Sequence, residues 1–130
     1  MNTLYPAGLI YVALGGGLGA VVRMLMSRAV SQLLGTNFPW GTLAVNVLGG
    51  LLMGLIVALL AGRAVDPAVR LLATTGFLGG FTTFSAFSLE TAELLQRGQT
   101  GAAFGYMLGS VVFSVLAVFA GLALAKGLRA

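Results

Sequence analysis

The chain has 130 residues, of which 58% are hydrophobic and only 8% charged, with seven Lys or Arg against three Asp or Glu and no Cys or His. A soluble domain needs roughly a quarter of its residues charged to cover its surface, so this composition excludes a water-exposed monomer and makes lipid the expected solvent. The lack of Cys and His excludes disulfides, thiolate or imidazole chemistry and the usual zinc and haem ligands, and the scattered net charge of +4 gives a nucleic-acid partner no support.

A helix crossing a hydrocarbon core of about 30 Å needs about 20 mostly apolar residues, and four segments qualify. The N-terminal run lacks a basic n-region and an A-x-A-like cleavage site before Val22, so it reads as a retained membrane helix. The first span runs from about Pro6 to Leu34, carries Arg23 and Arg28, and ends at Gly35-Thr36-Asn37. The second opens after Phe38-Pro39-Trp40, where Pro suits a helix start and Trp the membrane interface, and ends near Gly62. A polar turn, Arg63 to Pro67, leads to the third span, about Ala68 to Gln96. A second turn, Arg97 to Gly101, leads to the fourth, about Ala102 to Ala125, which stops at Lys126-Gly127-Leu128-Arg129. The expectation is an all-α membrane protein, one domain over residues 1–130, with four transmembrane helices.

Four spans place Arg63, Arg70, Lys126 and Arg129 on one side, against Arg28, Arg97 and a snorkelling Arg23 on the other. That imbalance is small, so insertion in both orientations is expected. Glycines four apart (Gly15 and Gly19; Gly50 and Gly54; Gly101, Gly105 and Gly109) allow helix backbones to approach closely, either within a subunit or between two.

The segment GGFTTFSAFS, residues 79–88, is the least helix-like part of the third span. One continuous helix over residues 68–97 would span roughly 45 Å at ~1.5 Å per residue. Gly79-Gly80 lies a little before its middle, and Thr82 and Thr83 offer hydroxyls to freed backbone groups, so a break at membrane depth is predicted. Such a break is tolerated only where protein buries it or it lines a cavity, and its carbonyls can coordinate a cation. The alternative is a glycine packing seam in an unbroken helix.

Phe81, Phe84 and Phe87 recur every three residues, which puts them on one helix side beyond the break. They either pack or present positive ring edges to a poorly hydrated anion. Tyr106, Ser110 and Ser114, at i, i+4 and i+8, align three hydroxyls on the fourth helix. Serines in such helices often bond their own i−4 carbonyls, but a buried phenol needs another partner, and a row of O–H donors suits an ion shedding water. Asn46 is a lone amide that either bonds across helices or supplies its NH2 to a permeant anion. Arg23, Glu90 and Glu93 either snorkel to the interface or, in the case of Arg23, face a watery vestibule and repel cations. Small four-helix drug/proton antiporters share the length and glycine content, but they need an acidic residue in the first helix, and the first two spans here contain none.

Three motifs in order resemble the Fluc (CrcB) family of fluoride channels over nearly the whole chain. They are Gly15-Gly16-x-x-Gly19-Ala20-x-x-Arg23, Gly41-Thr42-Leu43-x-Val45-Asn46-x-x-Gly49, and Gly76-Phe77-x-Gly79-Gly80-x-Thr82-Thr83-Phe84-Ser85-x-Phe87-Ser88. Met24, Gly50 and Ala86 depart from the residues common at those positions. The resemblance implies an antiparallel, dual-topology homodimer with a broken third helix and two pores, each drawing residues from both subunits. It implies a structural sodium ion at the dimer centre, held by main-chain oxygens of Gly79 and Thr82. By motif position Phe84 and Phe87 would flank fluoride with their ring edges, Asn46 would be the pore-side amide, and Tyr106, Ser110 and Ser114 the polar track. Arg23 would be the vestibule arginine, and Glu90 would lie near the far end of the same pathway. The implied activity is passive export of fluoride through a bacterial-type inner (cytoplasmic) membrane, giving fluoride resistance without chemistry on a substrate.

Overall fold

The computed structural model describes residues 6–130, so the Met1–Tyr5 stretch of the N-terminal reading lies outside it. Every regular element among the described residues is helical. Helix α1 is Pro6–Leu34, α2 is Trp40–Leu60 and α3 is Pro67–Leu71. Helix α3 runs directly into a π-helical stretch, Leu72–Leu78, and a last α turn, Gly79–Phe81. Helix α4 is Phe84–Gln96 and α5 is Thr100–Arg129. Among these, α1, α2 and α5 are long and apolar enough to cross a membrane.

The ends follow from local chemistry. Asp66 caps α3, its Oδ1 accepting from the Ala68 amide at 2.9 Å, with Pro67 at the first helical position. Gly35, Gly62 and Gly98 follow α1, α2 and α4 with φ of 90°, 71° and 76°, a left-handed conformation that opens the chain into a turn at little steric cost only without a Cβ. The last α2 carbonyls are held by cations: Arg129 donates to Ala58 O and Ala61 O, both at 2.8 Å, and Arg70 to Leu60 O at 3.3 Å.

Between the two parts of the third segment, helical geometry lapses at Thr82 (φ −84°, ψ 156°) and Thr83 (φ −150°, ψ 121°). The lapse does not fall on Gly79-Gly80, where the sequence reading puts the weak point. Both glycines remain helical, and Gly80 serves packing, since a Cβ there would run into the Gly16 backbone. The threonines leave helical geometry instead, because their hydroxyls offer local alternatives to the helical ladder.

Helix α1 lies parallel to α3 and its π continuation, with Gly15 and Gly19 against the backbones of Leu72 and Phe77. Helices α2 and α5 also run parallel, Gly50 and Gly54 meeting Ser114 and Val118, and Gly121 meeting Leu51. Both seams lie within one subunit. By contrast, a Cβ on Gly101 or Gly105 would meet nothing within 4 Å. The interior is thin: one buried cluster is Val45, Leu78 and Phe81, the other Leu94, Ala103 and Tyr106. Large side chains such as Leu14 and Leu18 on α1, and Leu108 and Phe119 on α5, point outward, as acyl-chain solvent allows.

Candidate functional site

The extended Thr82-Thr83 pair is tied down from three directions. Asn46 on α2 clamps Thr83, its Nδ2 donating to Thr83 O at 3.0 Å while its Oδ1 accepts from the Thr83 amide at 2.8 Å. The Thr83 hydroxyl accepts from Ala86 N at 3.1 Å and so caps α4. The Thr82 hydroxyl and amide both donate to Leu78 O, at 2.9 and 3.0 Å, and close the preceding turn. Arg23 reaches the same region from α1, its Nε donating to Gly80 O at 3.0 Å. It is tethered to the third segment rather than extended toward the interface.

Four carbonyls, those of Gly79, Gly80, Phe81 and Thr82, are left without their helical partners by this arrangement, and Arg23 takes Gly80 O. In an unbroken helix Gly79 O would accept from the Thr83 amide, which goes to Asn46, and Thr82 O from the Ala86 amide, which goes to the Thr83 hydroxyl. These are the two oxygens that the resemblance implies for sodium, and uncharged carbonyls are donors of the right kind for a hard cation.

Asn46, Thr83, Phe84, Phe87, Ser110 and Ser114 all line one cavity of about 440 Å³, and no charged side chain joins them there. Phe84 is 77% exposed and meets Phe87 with ring centroids 5.4 Å apart, tilted by 47°. Phe87 in turn packs on Tyr106 at 5.2 Å. The Ser110 and Ser114 hydroxyl oxygens are buried without a hydrogen-bond partner among the described residues, so i−4 back-bonding does not satisfy them. A buried orphan hydroxyl is costly, and both of these belong to residues that line the cavity.

Phe81 does not share this face. It precedes the extended pair, is only 2% exposed, and stacks on Phe77 with centroids 5.9 Å apart in the Val45–Leu78 cluster. The three-residue spacing assumes one continuous helix, and the change of direction at Thr82-Thr83 separates Phe81 from the other two.

Sequence reasoning left Glu90 without a role and passed over Thr42. In the structure Thr42 Oγ1 donates to Glu90 Oε1 and Tyr106 OH to Glu90 Oε2, each at 2.7 Å. The phenol that needed a partner has a carboxylate, and that requirement was the available signal. Glu93 meets Arg97 at 3.8 Å near the chain turn.

Fold and site together define an all-helical, multi-pass membrane protein with a largely apolar cavity into whose lining Asn46, Thr82, Thr83, Ser110 and Ser114 bring polar groups. A family model described as CrcB-like protein, Camphor Resistance (CrcB), matches residues 10–122. This chain belongs to the CrcB family. It is 51% identical to a protein of Mesorhizobium japonicum over 92% of this chain and 97% of that one. It is 54% identical to a protein of Chelativorans sp. over 92% and 97%, and 51% identical to one of Novosphingobium aromaticivorans over 90% and 94%. All three relatives are named fluoride-specific ion channel FluC.

Proposed function

We propose that this chain is a fluoride-selective ion channel, passively exporting fluoride from the cytoplasm and so conferring fluoride resistance. The observation that carries this reading is the pair of hydroxyls on Ser110 and Ser114, unpartnered among the described residues, on two residues that line the same uncharged cavity as Phe84 and Phe87. Fluoride is small and strongly hydrated, so a pore must replace its water with directed donors. Hydroxyls, an amide and ring edges do so without a fixed positive charge that would hold the ion too long. Asn46 keeps one amide hydrogen beyond the one given to Thr83.

The functional unit is proposed to be an antiparallel, dual-topology homodimer with two pores in the inner (cytoplasmic) membrane. Residues 67–96 then form one transmembrane segment interrupted at Thr82-Thr83. An interrupted backbone at membrane depth must be covered by protein or line an aqueous cavity, and Phe84 beside it is largely uncovered in a single subunit, which supports a second copy. A sodium ion on the two-fold axis would be held by Gly79 O and Thr82 O of each copy, fixing the two interrupted segments together.

The deciding experiment reconstitutes the purified chain in sodium-containing vesicles loaded with fluoride or with chloride and follows efflux with ion-selective electrodes. Rapid fluoride efflux without comparable chloride efflux is expected. Vesicles that retain fluoride as well as empty liposomes do would end this reading.

A further inference from the structure

A second, polar pocket of about 180 Å³ lies where the Thr36–Pro39 connection meets the last turns of α4. Glu90, Glu93 and Arg97 line it together with Thr36, Asn37 and Phe38. It is joined to the uncharged cavity by a continuous file of side chains: Phe87 lines that cavity and packs on Tyr106 at 5.2 Å, and Tyr106 meets Phe38 edge-on at 5.4 Å. Glu90 lines the polar pocket and accepts from the buried Tyr106 hydroxyl at 2.7 Å.

The electrostatics of this pocket are opposed. Two carboxylates face it, and Arg97 is its one cationic lining residue among the described residues. Arg97 pairs with Glu93 only at 3.8 Å, and the two side chains are 60% and 45% exposed, so water and ions reach both groups. A loose, hydrated pair of this kind contributes little to stability but sets the local potential over a few ångströms, a range that salt screens.

We propose that this pocket is the aqueous mouth of the conduction path, that Arg97 is the specificity-determining charge that offsets its carboxylates and so admits anions, and that Glu93 opposes their entry. The inference rests on the channel reading and deepens it. With Glu90, Glu93 and Arg97 all charged the mouth carries one net negative charge, so Arg97 limits the repulsion that fluoride meets there. Without Arg97 the mouth presents two uncompensated carboxylates and repels anions more strongly.

The test measures fluoride efflux from vesicles carrying wild type, Arg97→Gln, Glu93→Gln, Arg97→Lys or the Glu93→Gln/Arg97→Gln double variant, at about 20 mM and about 300 mM ionic strength set with a large impermeant anion. At low ionic strength Arg97→Gln is expected to be about threefold slower and Glu93→Gln about threefold faster, the size of one unit charge several ångströms away in water. Both differences shrink to well under twofold at high ionic strength. Arg97→Lys and the double variant, which keep the local net charge, stay near wild type, whereas a structural role for the pair would leave the double variant impaired. Equal rates for wild type, Arg97→Gln and Glu93→Gln at low ionic strength would overturn the assignment, as would differences that salt leaves unchanged. Wild-type vesicles that hold their fluoride would instead reject the channel reading, and this inference with it.

Discussion

At the scale of single residues, stability and conduction separate cleanly. Ser110 and Ser114 have no partner among the described residues to lose, so Ser110→Ala and Ser114→Ala are expected to leave thermal unfolding unchanged or slightly raised, while fluoride efflux falls about tenfold as a donor is removed from the cavity lining. Asn46 behaves differently, because Asn46→Leu removes both bonds to Thr83 and strands a backbone amide and carbonyl. Denaturation should show a loss of roughly 1–3 kcal/mol together with the loss of flux. Phe84→Ile retains bulk but removes the ring edge, so efflux should drop sharply while elution on size exclusion is unaltered; undiminished efflux would take the ring out of the mechanism.

At the scale of elements, the glycines divide into two kinds that their common spacing does not distinguish. Gly121 sits where a Cβ would strike the α2 backbone at Leu51, so Gly121→Val is expected to abolish folded protein or to destabilise it by about 3 kcal/mol or more. Gly101 has open space around it, so Gly101→Ala should leave the subunit fold intact and favour α5 by about 1 kcal/mol. Comparing the yield and melting of the two variants checks the distinction. The helix order, the turns at Gly35, Gly62 and Gly98 and the approximate bounds of the three long apolar helices were legible in the chain, because hydropathy and left-handed glycines are local signals. The exact place where helical geometry lapses was not. Gly79-Gly80 is the weakest local stretch, but α1 packs against it and keeps it helical, and Asn46, distant in sequence, draws Thr83 out.

At the scale of the whole molecule, the proposed sodium site links conduction to assembly. Extraction and reconstitution with a large organic cation in place of sodium should reduce fluoride efflux and weaken the dimer, read by electrode and by cross-linking. Full activity after exhaustive sodium removal would leave the Gly79 and Thr82 carbonyls without that role. The sequence by itself determined the solvent, the helical class and the residue types that line the cavity, because in lipid every backbone group must be satisfied locally and each polar side chain requires a reason. Only the tertiary structure decided which of those residues meet. It placed Phe81 in the core and Phe84 at the cavity, joined Glu90 to both Thr42 and Tyr106, and left Ser110 and Ser114 unpaired. Those outcomes depend on the direction the chain takes after Thr83, and that direction is set by contacts between helices that are far apart in the sequence.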